Sequence, residues 1–262
     1  MRLNWLTLPF TALTTLQDSG IWNIQKIGWG KDNKNHQVLE DGSLKVFYPN
    51  GSYSPSKFPQ GGIGFYSSPE DIFPAEDIML TYQVKFDETF NPVLGGKLPG
   101  LFLSEGIGKE YMKDASGGST SNSTASLRIS WRKDFAGEAY IYAPDEQDEE
   151  YQNIPNLIQN DAFGDSLWRG LLQFQPNIWN YVCIRIKLNS FDADGTPNKN
   201  GIVEVKINDA RYKFSKFVWS TNPNTRLTAI MFSTFFGGSS IKYATPVDTW
   251  TYFKNMRIQR FK

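Results

Sequence analysis

Apolar side chains recur at every second position through most of the chain, and no stretch keeps the i, i+3, i+4, i+7 spacing of an amphipathic helix for three turns. A period of two belongs to strands, whose successive side chains point to opposite faces, so the sequence predicts an all-β fold. In Ile78–Phe86 the residues Ile78, Leu80, Tyr82, Val84 and Phe86 share one face, while Thr81, Gln83 and Lys85 share the other. Val182, Ile184, Ile186 and Leu188 alternate with Cys183, Arg185 and Lys187, and Val203, Val205 and Ile207 alternate with Glu204 and Lys206. Such strands have one wet face. Asn189–Gly201 reads as a long hairpin connection rather than a calcium loop, because no glutamate fills the last ligand position. Many short strands separated by Gly, Asn and Pro turns point to a jelly-roll or lectin-like sandwich of two antiparallel sheets, forming one domain over residues 1–262. A helix is expected only around Pro155–Phe163; Ala115–Ala125 reads as a flexible loop and Asp145–Glu150 as a solvated tip.

Composition removes several functions. Lys plus Arg and Asp plus Glu both number 27, with no basic block, which argues against a nucleic-acid partner bound through many phosphates. A single cysteine excludes a disulfide framework or a cysteine-based zinc site, and Cys183 reads as an inert, buried or half-buried thiol. With one histidine, Ser-His-Asp catalysis and multi-histidine metal sites lack their essential imidazoles, so no metal or other cofactor is expected. That histidine, His36, lies in a polar run from Lys31 and reads as a solvated loop residue. No window reaches the roughly 18 apolar residues of a membrane span, so no membrane partner is expected. Met1–Leu13 places an arginine before an apolar stretch, but Asn4, Thr7, Pro9 and Thr11 interrupt what a signal peptide keeps continuous. Asn50-Gly-Ser and Asn122-Ser-Thr match glycosylation acceptors, which matter only for an exported chain.

The chemistry concentrates on two consecutive strands. In Ser126–Arg132, Leu127, Ile129 and Trp131 face one way, and Ser126, Arg128, Ser130 and Arg132 the other. After the turn Lys133–Gly137, Glu138, Tyr140 and Tyr142 share one side, so a hairpin sets a phenolic row beside a cationic one. Gly95-Gly-Lys97-Leu-Pro-Gly adds a lysine among turn-forming residues, where glycines suit either close approach of a ligand or a tight bend. A plain solvated sheet surface would show the same pattern. Glycoside hydrolysis needs a pair of carboxyl groups, and Glu138 stands alone on this face. β-Elimination from a polyuronate fits better: cations neutralise the sugar carboxylate, a phenol removes the C5 proton, and a phenol or lysine protonates the leaving O4.

The Gly-Gly-Lys97-Leu-Pro-Gly-Leu segment, Ser126-x-Arg128, Gly-Glu-x-Tyr140-x-Tyr142 and Phe232-Ser-Thr-Phe-Phe-Gly-Gly238 together resemble polysaccharide lyase family 14, the alginate and glucuronan lyases, from about Asp71 to Phe261. The resemblance implies a jelly roll with a concave substrate cleft and an acidic polysaccharide as partner. Its active-site lysine falls on Lys97, its serine and arginine on Ser126 and Arg128, and its tyrosines on Tyr140 and Tyr142. Resemblance and chemistry together make Tyr142 base and acid, Lys97 and Arg128 carboxylate neutralisers, and Tyr140 and Ser126 positioners. Arg132, Glu138, Thr234, Gln83 and Lys85 are further substrate-binding candidates, with an Arg132–Glu138 ion pair favoured over a direct sugar contact by Arg132. The chain departs from the family at Phe102-Leu-Ser-Glu105, where an aromatic and a Gly pair are usual. A monomer is expected, secreted or extracellular like such a substrate, although a virus-encoded form fits as well. The competing readings are a noncatalytic lectin-like binding module and a hydrolase of a related sandwich fold.

Overall fold

The computed structural model describes residues 5–16, 20–31, 35–160 and 162–261. The first part of the signal-like stretch, Met1–Asn4, and part of the polar run before His36 lie outside them. Among the described residues fifteen strands form: β1 (Leu6–Thr7), β2 (Ile24–Trp29), β3 (His36–Val38), β4 (Leu44–Tyr48), β5 (Ile63–Ser67), β6 (Asp77–Phe86), β7 (Gly95–Ser104) and β8 (Ala125–Arg132) in the first half. They continue as β9 (Ala136–Tyr142), β10 (Asp165–Gln173), β11 (Asn180–Lys187), β12 (Gly201–Ile207), β13 (Ala210–Phe217), β14 (Arg226–Phe236) and β15 (Thr249–Arg260). One sheet runs β13-β12-β11-β6-β15-β4-β3, with β1 added to β15; the other runs β10-β9-β8-β7-β14-β5-β2. The result is the all-β jelly-roll sandwich of two antiparallel sheets that the alternation predicts.

The alternating positions are those that meet between the sheets. Ile78, Leu80, Tyr82, Val84 and Phe86 of β6, Ile184 and Ile186 of β11, and Leu127, Ile129 and Trp131 of β8 join a single core. Aromatic rings fill its middle: Trp131 lies 5.3 Å from Phe236 and 5.4 Å from Phe90, edge to face, a geometry that adds to their area burial. Cys183 is a buried free thiol whose pKa burial pushes up to about 11.

Three local expectations change. No helix forms over 155–163 among the described residues; the segment makes turns and a bridge from Ile158 to Ser166, and the longest helical piece is the 3-10 turn Glu149–Asn153. His36 is not a loop residue but begins β3, half-buried and paired with Val46, and burial lowers its pKa. The glycines of β7 serve strand packing: a Cβ on Gly96 would meet the Trp131 ring at 2.1 Å, and one on Gly100 would meet the Leu127 carbonyl oxygen at 1.8 Å. Trp131→Ala would open a cavity under the middle of this sheet and is expected to cost about 3–5 kcal/mol in a denaturant titration.

Candidate active site

β8 and β9 pair as the alternation requires, and the register is direct: Ser126 faces Tyr142, Arg128 faces Tyr140, and Ser130 faces Glu138. On the other side of β8, Lys97 of β7 pairs with Ser130. Because Leu127, Ile129 and Trp131 occupy the core, their neighbours on β8 must point to the outer face of the seven-stranded sheet. Lys97, Arg128, Tyr140 and Tyr142 therefore share one face with Ser126 and Glu138. A solvated surface is excluded, since all six are buried, Arg128 being 4% and Lys97 6% exposed.

The cover comes from the segment between β7 and β8, expected to be a flexible loop over Ala115–Ala125. Met112 and Ala115 instead pack against Phe102, Tyr140, Tyr142 and Met231. Ser126 Oγ donates to the Ala115 carbonyl at 2.7 Å, the Gly118 amide donates to Tyr142 Oη at 2.9 Å, and Lys26 Nζ donates to the Met112 carbonyl. These bonds fix the segment over one half of the site. The other half opens into a depression of about 300 Å³ lined by Lys97, Arg132, Tyr140, Arg169, Gly238 and Tyr243. A Cβ on Gly238 would meet the Tyr243 ring at 2.5 Å, so this glycine makes room for the depression's wall.

The electrostatics are one-sided. Lys97 Nζ sits 3.6 Å from the Tyr140 ring centroid, and the Arg128 guanidinium 6.0 Å from the centroids of Tyr140 and Tyr142. Neither cation has a carboxylate within ion-pair distance among the described residues. Burial, reinforced by Arg132, holds the Lys97 ammonium well below its ordinary range. Glu138, fully buried, pairs with Arg132 at 2.5 Å as favoured, and also with Arg169 at 2.6 Å. Burial alone would raise its pKa; Arg132, Lys97 and Arg169 together hold it below the ordinary carboxylate range. The Tyr140 hydroxyl is pushed up, first by burial and then by Tyr142. Arg128 Nε, Ser130 Oγ and Ser233 Oγ are buried without a hydrogen-bond partner in the protein.

Three candidates lie elsewhere. Thr234 points into the core, where its hydroxyl bonds to Tyr48, which bonds in turn to Thr251 at 2.7 Å. The alternation of β14 is the reason: Phe232, Thr234 and Phe236 face inward, leaving Ser233 on the site face. Gln83 and Lys85 lie in β6, on the outer face of the opposite sheet. Gln83 accepts from Asn255 at 2.6 Å, and Lys85 lies 4.7 Å from the Tyr252 ring. Sequence reasoning missed Arg169, Ser233 and Tyr243; the only signal for Arg169 was Gly170 interrupting the alternation of β10. Among the described residues no group of three or more His, Cys, Asp or Glu converges as metal ligands.

The sandwich thus carries a buried lysine, an arginine and paired tyrosines on one sheet face. The sequence model of Polysaccharide lyase 14 matches residues 36–256, and the chain belongs to that family. The match begins well before Asp71, where the sequence resemblance was placed. The chain is 31% identical to the marine PL-14 alginate lyase from Aplysia kurodai over 100% of both chains, with a TM-score of 0.85. It is 26% identical to an alginate lyase from Chlorella virus over 98% of this chain and 99% of that one, with a TM-score of 0.77. An endo-beta-1,4-glucuronan lyase from Trichoderma reesei shares the fold at 11% identity and a TM-score of 0.56, over 100% of this chain and 96% of that one. No curated protein sequence matches. Family membership favours a lyase over a binding module or a hydrolase.

Because Lys85 lies on the opposite sheet, Lys85→Ala is expected to leave kcat and KM unchanged in steady-state assays. Thr234→Val lowers thermal stability by about 1–2 kcal/mol and leaves turnover per folded molecule intact.

Proposed function

We propose that the chain cleaves a polyuronate of the alginate type by β-elimination. The observation that supports it is the cross-strand set Ser126–Tyr142 and Arg128–Tyr140 beside Lys97, in which, among the described residues, no carboxylate lies within ion-pair distance of either buried cation. A uronate carboxylate supplies that missing charge. Neutralised by Lys97 and Arg128, it acidifies the sugar's C5–H bond.

Tyr142 Oη takes the C5 proton. The electrons of the C5–H bond form the C4–C5 double bond, the C4–O4 bond breaks, and O4 leaves with a proton returned by Tyr142. The Gly118 amide donates to the Tyr142 oxygen, where it stabilises the negative charge of the base. Tyr140, which burial keeps protonated, orients the sugar, and Ser126 ties the covering segment to the strand beneath Tyr142.

The test is absorbance of the unsaturated uronate product during incubation with alginate or glucuronan in the presence of chelator. A rise is expected, and Tyr142→Phe is expected to lower kcat by about 10²–10⁴-fold with the melting temperature held. A fully active Tyr142→Phe enzyme would overturn the assignment of the base.

The reaction needs Lys97 as the ammonium ion, which is present below its pKa in the free enzyme and lost as pH rises through it. Since burial and Arg132 depress that pKa, the alkaline fall of kcat/KM should begin below the ~10.4 of an ordinary lysine. Lys97→Arg, which carries a charge that does not titrate, should move that limb to higher pH.

A further inference from the structure

We infer that Arg169 is a substrate-binding residue: it receives the carboxylate of the uronate next to the one being cleaved, in the open depression beside Lys97 and Tyr140. The inference rests on the polyuronate reading above and adds a second carboxylate contact to it.

Arg169 reaches this place through an irregularity in β10. Leu167 pairs with Ala139 and Leu172 with Gly137, so Trp168–Leu171 all stand opposite Glu138 alone. Bulges of this kind redirect a side chain and are common beside active sites. Here the backbone enters the left-handed region at Trp168, φ 57°, and again at Gly170, φ 77°. A tryptophan in that region is costly, and it persists only where its surroundings enforce it. The enforcement is visible on both sides. Trp168 is buried and stacks on Tyr212 at 5.8 Å, while Arg169 turns to the opposite face and meets Glu138.

Glu138 holds two arginines by separate oxygens. Arg132 Nε and Nη2 both donate to Oε1, at 2.8 and 2.5 Å, and Arg169 Nε donates to Oε2 at 2.6 Å. Arg169 Nη2 donates to Ser166 Oγ at 2.8 Å, while Nη1 has no hydrogen bond among the described residues. The side chain is 33% exposed against 14% for Arg132, and it lines the depression with Lys97 and Tyr140. One carboxylate thus faces Lys97, Arg132 and Arg169, leaving an excess of two positive charges at the depression. Glu138 is a positioning residue that fixes the arginines without neutralising the pocket. A guanidinium held on two nitrogens with a third free presents a directed donor to a planar carboxylate.

The test compares wild type with Arg169→Gln and Arg169→Lys on uronate oligomers of increasing length and on polymer, at several salt concentrations. Arg169→Gln is expected to raise KM about tenfold or more, with kcat within about twofold and a shallower dependence of KM on salt. Arg169→Lys, which keeps a charge but loses the fork, should show a smaller rise. An unchanged KM in Arg169→Gln, or a loss confined to kcat and melting temperature, overturns the proposal. If Arg169→Gln does not fold, Arg169→Lys decides, and a wild-type KM there overturns it. If the wild-type chain forms no unsaturated product from any uronan, the lyase reading fails on its own. Calorimetric titration with a uronate tetrasaccharide then judges Arg169: weaker binding by Arg169→Gln supports the subsite, and equal binding rejects it.

Discussion

The pleat of β8 is the constraint on which the site depends. A strand cannot turn one side chain without turning its neighbours the other way, so anchoring Leu127, Ile129 and Trp131 in the core commits Ser126, Arg128 and Ser130 to the outer face. Trp131 sets this most firmly, because it is wedged among Phe86, Phe90 and Phe236 and its indole is accommodated only by the bare Cα of Gly96. A slip of one residue would put an arginine into an aromatic cluster. The hydrophobic core therefore specifies the register of the β8–β9 hairpin, and β7 and β9 inherit it through their ladders.

What the core specifies on the outer face is an excess of positive charge away from water. Lys97, Arg132 and Arg169 gather around Glu138, and Arg128 lies on the same face beside Tyr140 and Tyr142, although the whole chain carries equal numbers of acidic and basic residues. The balance is restored elsewhere by acidic residues, most densely in the run Asp145–Glu150. Burying cations costs free energy that only an anionic ligand, or counter-charges of the protein's own, can offset. Supplying one counter-charge rather than several keeps the arginines in place while leaving the site attractive to an acidic chain. A local field of this kind draws an anionic polymer without any net charge on the protein.

The fold and the centre of the site were legible because both follow from a period of two. Alternation assigned the inner and outer faces of β6, β8, β9 and β11, and it placed the tyrosines beside Arg128. It failed where the chain leaves that period. Thr234 shares a face with Phe232 and Phe236, and Gly237-Gly238 suggested that this end of the strand meets the substrate, but that face is the inner one. Gln83 and Lys85 were correctly placed on a polar face, but which sheet owns that face depends on long-range pairing with β11 and β15. Arg169 was invisible because a bulge erases parity. The Ala115–Ala125 segment looked flexible from its small polar residues, whereas Met112 and the bonds at Ala115 and Gly118 pin it down.

The same packing distinguishes two tyrosines that the sequence presents as equivalents. Their rings lie 5.8 Å apart at 75°, on one face and one strand. The Tyr140 ring carries the Lys97 ammonium against its face, and burial, with Tyr142 beside it, keeps its hydroxyl protonated. Tyr142 instead has its oxygen against the amide of Gly118, in the segment that covers the site. A neutral hydroxyl suits a residue that orients a sugar by donating a hydrogen bond. An oxygen that faces a fixed donor suits one that must carry charge while a proton passes through it. The two rings thus differ in what packs on them: a lysine of β7 on Tyr140, and on the Tyr142 oxygen an amide from a loop whose composition alone gave no hint of order.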